Sequence, residues 1–166
     1  MTLDLHVPAG STGHDSLTVD ISAADAGWTY SGLRVAVLEA GESLALDTGD
    51  DELLVLPLAG GVDVETGGEV HRLTGRSGVF QGITDSLYVP RRTAMTLTSA
   101  AGGRFALPAA TAVRDLPVRY LGRDQVRTDL RGAGDCSRQV NNYALNNGVE
   151  TSHLLCCEVL TPGGNW

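Results

Sequence analysis

Hydrophobic and polar positions alternate in short runs along most of the chain, a pattern typical of β-strands with one buried face. The runs Val62-Asp63-Val64-Glu65 and Glu69-Val70-His71-Arg72-Leu73 alternate residue by residue, and Gly67-Gly68 lies between them. Two glycines between alternating runs are a strong signal for a β-hairpin. Similar runs with glycine-containing turns recur as far as Leu107. The pattern therefore predicts an all-β sandwich or barrel.

Four local features lead to more specific expectations. Pro57 lies inside an apolar run, so its strand is expected to be an edge strand or to carry a bulge there. The next residues, Ala59-Gly60-Gly61, are predicted to form a hairpin turn. Residues 77–80 are predicted to be a strand, and residues 22–27 a single helical turn that ends at a glycine.

The pattern divides the chain into four segments. Residues 1–27 are interpreted as an N-terminal extension with an edge strand, and residues 28–107 as the β-barrel. Residues 108–135 are interpreted as a connector, and residues 136–166 as the start of a second unit whose opening strand is His153 to Leu160. Because that strand runs into a Pro-Gly-Gly turn, we expect the chain to be the truncated front part of a longer protein.

Charge and cysteine content argue against some classes of function and indicate where the protein is located. The chain has 20 acidic residues against 12 basic residues, all arginine, for a net charge of −8. Such a balance argues against binding to nucleic-acid backbones or to anionic membranes. No basic-plus-apolar leader and no apolar run of about 18 residues is present, and the three cysteines do not form a disulfide framework. We expect a cytoplasmic protein with free thiols.

Candidate metal ligands are scattered. The four histidines, His6, His14, His71 and His153, include no closely spaced pair. A cluster of acidic residues around Asp50 and Glu52 lacks the ordered spacing of a calcium loop, so it is predicted to be solvated. No metal site is expected in residues 28–107.

Several short motifs occur in an order that resembles a known family. They are Trp28-Thr29-Tyr30, Leu38-Glu39-Ala40-Gly41-Glu42-Ser43, Gly60-Gly61, Val79-Phe80-Gln81-Gly82, Tyr88-Val89-Pro90, Arg138-Gln139-Val140 with Asn142, and Glu158-Val159-Leu160-Thr161-Pro162-Gly163-Gly164-Asn165-Trp166. Together they resemble the N-terminal part of the 5-deoxy-glucuronate isomerase family, bacterial enzymes of myo-inositol degradation.

The resemblance implies a bicupin architecture, with two cupin-type β-sandwich barrels in one chain. Residues 28–107 would then be the first cupin, followed by the connector and the first strand of a second, missing cupin. The implied reaction is the aldose–ketose isomerisation of 5-deoxy-D-glucuronate to 5-dehydro-2-deoxy-D-gluconate, an intramolecular oxidoreduction. The family places a divalent metal and a His-rich run in the second cupin. No cofactor is therefore expected in this chain, the catalytic groups are expected beyond Trp166, and the chain alone is expected to be inactive.

Three residues are candidate contacts for a sugar-acid substrate: Arg138, Asn142 and Glu158. Arginine can bind a carboxylate through two parallel hydrogen bonds, and alternation places Arg138 and Asn142 on one strand face and Asn141 on the other. Glu158 could point into the second barrel. A structural ion pair is the alternative for Arg138. For the whole chain, the alternative is a non-catalytic cupin-like interaction or oligomerisation module. A homo-oligomer is a further expectation.

Overall fold

The computed structural model describes residues 6–145 and 149–164. Within these ranges the chain is almost wholly β, and none of its helices is long or apolar enough to cross a membrane. The strands are β1 (Leu17–Ile21), β2 (Ser31–Leu38), β3 (Glu42–Asp47), β4 (Asp51–Thr66), β5 (Glu69–Arg76), β6 (Ser86–Val89), β7 (Ala94–Ser99), β8 (Gly103–Thr111), β9 (Arg119–Leu121), β10 (Arg127–Arg131), β11 (Arg138–Ala144) and β12 (Cys156–Leu160). Short 3-10 helices occupy Val79–Gln81, Arg123–Gln125 and Gly134–Cys136.

The first nine strands form an antiparallel sandwich. One layer has the order β1-β2-β8-β4-β6-β9, and the other joins β3 to β7 and both β5 and β7 to β4. Apolar side chains from both layers fill the space between them. These include Leu38, Leu53, Val55, Val64, Leu73, Leu87, Met95, Leu97, Phe105 and Leu107. The interior of the sandwich is therefore a packed core.

Strand β4 belongs to both layers. Its first half pairs with β6 and β8, and its second half pairs with β5 and β7. The register with β8 shifts between Pro57 and Ala59, which confirms the predicted bulge at the proline. The hairpin turn predicted at residues 59–61 is wrong, because the strand bends at Gly60 (φ +84°) and continues into the second layer.

The other local predictions have different outcomes. The hairpin at Gly67-Gly68 is confirmed, and both glycines have positive φ (59° and 80°), as a type I′ turn requires. Residues 22–27 form hydrogen-bonded turns in which the Ala26 amide donates to the Ser22 carbonyl at 3.2 Å. The strand predicted at residues 77–80 is wrong, since a 3-10 helix occupies Val79–Gln81.

A second sheet, β10-β11-β12, packs on the outside of the first layer. Successive residues of a strand face opposite sides, so Leu54 and Leu56 of β4 and Tyr88 of β6 point away from the packed core and towards this sheet. They meet Tyr143 of β11 and Cys156 of β12 in a second apolar cluster. Strands β11 and β12 are therefore packed directly on the sandwich.

The segment boundaries differ from those predicted. The edge strand predicted in residues 1–27 is confirmed as β1, which pairs with β2 at the edge of the first layer, so part of this segment belongs to the sandwich. The predicted connector, residues 108–135, contains the end of β8, the strand β9 that pairs with β6, and the strand β10 of the second sheet. The last strand begins at Cys156, three residues later than expected, because residues 152–154 turn to bind a buried carboxylate.

Candidate functional site

The buried carboxylate of Glu52 joins the sandwich to the segment that leads into β12. Its Oε1 accepts hydrogen bonds from the backbone amides of His153 (2.6 Å) and Leu154 (2.7 Å). Its Oε2 accepts from the Ser152 amide and from the Tyr88 hydroxyl, both at 2.7 Å. Glu52 is fully buried, so the prediction that it is solvated is wrong.

Burial and hydrogen bonding act in opposite directions on Glu52. Burial alone would raise the pKa of its carboxyl group, because a charged group is poorly solvated inside a protein. The hydrogen bonds from the three backbone amides and from Tyr88 outweigh this effect, so the pKa lies below its usual 4.5. The pKa of the Tyr88 hydroxyl is raised, first by burial and then by its bond to Glu52. Glu52 is therefore an ionised anchor.

A buried ion pair forms a second junction between the two parts. The side chains of Arg76 and Glu158 are only 2% and 11% exposed. Nη1 of Arg76 donates to Oε2 of Glu158 at 3.0 Å, and its Nη2 donates to Oε1. The Arg76 Nε also donates to the Pro57 carbonyl at 3.1 Å, and the amide of Asn141 donates to Glu158 Oε2 at 2.9 Å. Both carboxylate oxygens of Glu158 are thus occupied by protein donors.

Asn142 lies in a polar network on the face of the second sheet opposite to Asn141. Its side-chain amide donates to the Arg127 carbonyl at 3.0 Å and to Asp129 Oδ2 at 3.2 Å, and the residue is only 2% exposed. Asp129 also forms ion pairs with Arg127 and Arg131. Hydrogen bonds from Arg131 and then Arg127 hold the pKa of the Asp129 carboxyl below its usual range. Asn142 therefore ties β11 to β10.

Arg138 is exposed and lies beside a groove of about 430 Å³. The groove is lined by Phe80, Leu130, Arg131, Leu160 and Pro162, among others. The Arg138 Nη1 donates to the Cys136 carbonyl at 2.9 Å, and no carboxylate of residues 6–145 or 149–164 lies within ion-pair distance of its guanidinium. Its guanidinium therefore keeps donors available for a ligand.

The three predicted substrate contacts do not converge. Arg138 and Asn142 share a strand face, in agreement with the predicted alternation, and Asn141 faces the other way towards Glu158. Glu158 points at the sandwich and is bound by Arg76. Sequence reasoning missed Arg76 and the anchoring role of Glu52, because their partners are distant in the chain. The only sequence signal for Arg76 is an arginine at the end of a β-hairpin strand.

The described residues do not fit the divalent metal that the resemblance implies for the family. Within 6–145 and 149–164, no group of three or more His, Cys, Asp or Glu side chains is arranged to hold a metal ion. His14 contacts Asp20 at 3.0 Å, and His153 Nδ1 lies 2.7 Å from the Thr111 carbonyl oxygen.

Comparison with known proteins identifies the family to which this chain belongs. The model of the KduI/IolB family matches residues 5–166. The chain belongs to the KduI/IolB family. It is 30% identical to the 5-deoxy-glucuronate isomerase of Geobacillus kaustophilus over 164 residues, which are 98% of this chain and 59% of that protein. The corresponding protein of Geobacillus thermodenitrificans is also 30% identical, with 96% and 59% covered.

A solved structure supports the same placement. The crystal structure of an IolB-like protein from Salmonella typhimurium LT2 superimposes with a TM-score of 0.85 at 30% identity. The match covers 93% of this chain and 59% of that chain. The KduI/IolB chain described here thus spans about 59% of the length of its curated relatives. The family resemblance and the all-β sandwich fold are confirmed.

Proposed function

We propose that this chain acts in the isomerisation of 5-deoxy-D-glucuronate to 5-dehydro-2-deoxy-D-gluconate in myo-inositol degradation. The observation that carries the proposal is the match of 98% of the chain to a relative named 5-deoxy-glucuronate isomerase. The reaction leaves the molecular formula unchanged. A C–H bond breaks at the hydroxyl-bearing carbon next to the aldehyde, and a C–H bond forms at the former aldehyde carbon. The hydroxyl proton is lost and a proton is gained by the former aldehyde oxygen, so the hydroxyl-bearing carbon becomes the ketone and the aldehyde becomes a primary alcohol.

Such a reaction needs a base and an acid beside neighbouring carbons of the sugar. The buried carboxylates of Glu52 and Glu158 do not suit this role, because protein donors already occupy both oxygens of each. We assign them instead to holding the second sheet on the sandwich. The catalytic base is not assigned to a described residue.

Arg138 is the described residue that we propose as a substrate contact. Its planar guanidinium can form two hydrogen bonds to the carboxylate of a sugar acid, and the groove beside it is open to solvent. The contacts of Asn142 and Glu158 support roles in positioning β10 and β12. On this proposal Arg138→Gln raises the KM for 5-deoxy-glucuronate about tenfold or more with a smaller change in kcat, because a ground-state contact is lost.

The test is an isomerase assay on the product of the gene's full reading frame, with the 166-residue chain as the comparison. Conversion of 5-deoxy-glucuronate is followed by carbon-13 NMR, with and without added divalent metal. We expect turnover by the full product and none by the 166-residue chain alone. A folded full product that does not convert the sugar acid under either condition would refute the proposed activity.

A second candidate function is an oligomerisation module that assembles copies of this chain. The observation that favours it is the exposure of two large apolar side chains on one groove, Phe80 (78%) and Leu130 (83%). We expect the chain to self-associate with rising concentration and Leu130→Asp to remain monomeric, as measured by light scattering after size exclusion. A wild-type chain that is monomeric throughout would count against this candidate.

A further inference from the structure

A second cleft lies away from the groove that contains Arg138. Its volume is about 330 Å³, and it forms where β9 and the 3-10 helix Arg123–Gln125 meet residues 149–150. The cleft shares none of its lining residues with the groove. Its walls combine apolar side chains, including Leu116 and Val149, with three polar ones. The polar residues are Arg119, Gln125 and Glu150.

Arg119 stands out because its charge is not neutralised. The residue lies on β9, and its neighbour Tyr120 points the other way to donate to Asp85 at 3.0 Å. Among the described residues, the side chains of Arg119 and Arg104 are the arginine side chains without a hydrogen bond or ion pair, although the chain has 20 acidic residues. An unpaired guanidinium in a cleft can bind an anion, and its planar fork suits a carboxylate.

The other two polar residues favour hydroxyl groups. Gln125 uses its Oε1 to accept from the Gly122 amide at 3.0 Å, which leaves its NH2 group as a donor. Glu150 pairs with Arg114 through Oε1, which offsets its charge and leaves Oε2 as an acceptor. Amide donors and carboxylate acceptors are groups that can bind the hydroxyls of a polyol. The apolar wall at Leu116 can cover the C–H face of such a ligand.

We propose that this cleft binds a small polyhydroxylated carboxylate, with Arg119 on the carboxylate and Gln125 and Glu150 on hydroxyls. The proposal rests on the lining of the cleft and does not depend on the isomerase activity proposed above. It adds a ligand site at the border of the second apolar cluster, because Leu121 belongs both to the cleft wall and to that cluster.

The experiment is a titration of the nitrogen-15-labelled 166-residue chain with D-glucuronate, followed by amide chemical shifts. D-glucose and acetate serve as probes that carry only the hydroxyls or only the carboxylate. We expect the largest shifts at residues 116–125 and 149–150, with a dissociation constant on the order of 1 mM. Glucose and acetate are each expected to bind at least about tenfold more weakly, because each lacks one half of the contacts.

Two matched variants test the assignment of the carboxylate. Arg119→Gln should weaken glucuronate binding about tenfold or more, because it removes a charge-assisted contact. Arg104→Gln removes another unpaired, exposed arginine outside the cleft and should leave binding unchanged. If Arg119→Gln does not fold, as judged by circular dichroism, Arg119→Lys retains the charge without the fork and should bind with intermediate affinity.

Three results would overturn the proposal. The first is the absence of shifts in the cleft at about 50 mM glucuronate, a concentration well above the expected dissociation constant. The second is equal weakening by Arg104→Gln, which would indicate unspecific attraction to positive charge. The third is a set of shifts centred on the groove of Arg138. The proposed isomerase activity is tested separately, because its assay measures turnover of 5-deoxy-glucuronate and not binding to this cleft.

Discussion

Replacement of Glu52 by glutamine changes one atom in the junction between the sandwich and the second sheet. Both Ser152 N–H and Tyr88 O–H donate to Oε2, while His153 and Leu154 donate to Oε1. If the glutamine oxygen stays at the Oε1 position, its NH2 group faces the Ser152 amide, donor against donor. The Tyr88 hydroxyl can rotate to accept, but the half-buried Ser152 N–H is left without an acceptor.

The loss of stability in Glu52→Gln can be worked out from these contacts. One charge-assisted hydrogen bond is lost and the remaining ones no longer go to a charged acceptor, while the penalty for burying a charge disappears. With about 1.5–3 kcal/mol for a hydrogen bond to a charged group, we expect the free energy of unfolding to fall by about 3 kcal/mol. For a urea slope of about 2 kcal/mol/M, the midpoint would fall by about 1.5 M.

Glu65→Gln is the matched control, because Glu65 lies on the same strand and is exposed. We expect this change to alter the free energy of unfolding by less than about 0.5 kcal/mol. Hydrogen exchange gives a local readout, since the amides of Ser152, His153 and Leu154 should exchange faster in Glu52→Gln only. Equal urea midpoints for the two variants, or unchanged exchange at these three amides, would refute the role assigned to Glu52.

The pH dependence provides a further check on the same carboxylate. The folded-state pKa of Glu52 lies below its usual 4.5, so its contribution to stability is fully present above about pH 4.5. That contribution is lost as the pH falls through the folded-state pKa. The difference in stability between the wild type and Glu52→Gln should therefore be constant near neutral pH and shrink in acid. A difference that grows in acid would contradict the assignment.

Two further predictions concern cysteine and glycine. Burial raises the pKa of Cys156 to about 12, so at pH 8 iodoacetamide should label the exposed Cys136 and Cys157 much faster, as resolved by peptide mass spectrometry; equal rates would show that Cys156 is accessible. Gly60→Ala should cost more than about 2 kcal/mol in urea unfolding, because a Cβ there lies 2.5 Å from the Gly102 carbonyl oxygen at φ +84°. Gly41→Ala, at φ +80° in open space, should cost about 1 kcal/mol, and a similar cost at both positions would rule out the close contact as the cause.

Local features of the fold could be predicted from the sequence because their causes are local. The hairpin at Gly67-Gly68 needs only two residues that tolerate positive φ between alternating runs. The predicted turn at Gly60 is instead a bend within β4, although it also involves a glycine with positive φ. Whether such a glycine reverses the chain or redirects it depends on the strands that pair on either side. Those partners, β5 and β8, are specified elsewhere in the sequence.

The junction residues could not be predicted for the same reason. Glu52 lies in an acidic stretch that resembles a solvated loop, and the amide of Ser152 that it binds is 100 residues away. Arg76 and Glu158 are separated by 82 residues, and neither is marked by a local pattern. In contrast, the shared face of Arg138 and Asn142 followed from strand alternation alone, because it depends on backbone geometry.

The participation of β4 in both layers has a consequence for how the protein assembles. One strand of 16 residues carries pairing partners drawn from residues 69 to 111, all of which must find it before either layer is complete. Neither layer can then form as an independent folding unit, and we expect the sandwich to fold in one cooperative transition. Since most of these pairings join residues far apart in the chain, that transition should be slow, in the range of milliseconds to seconds.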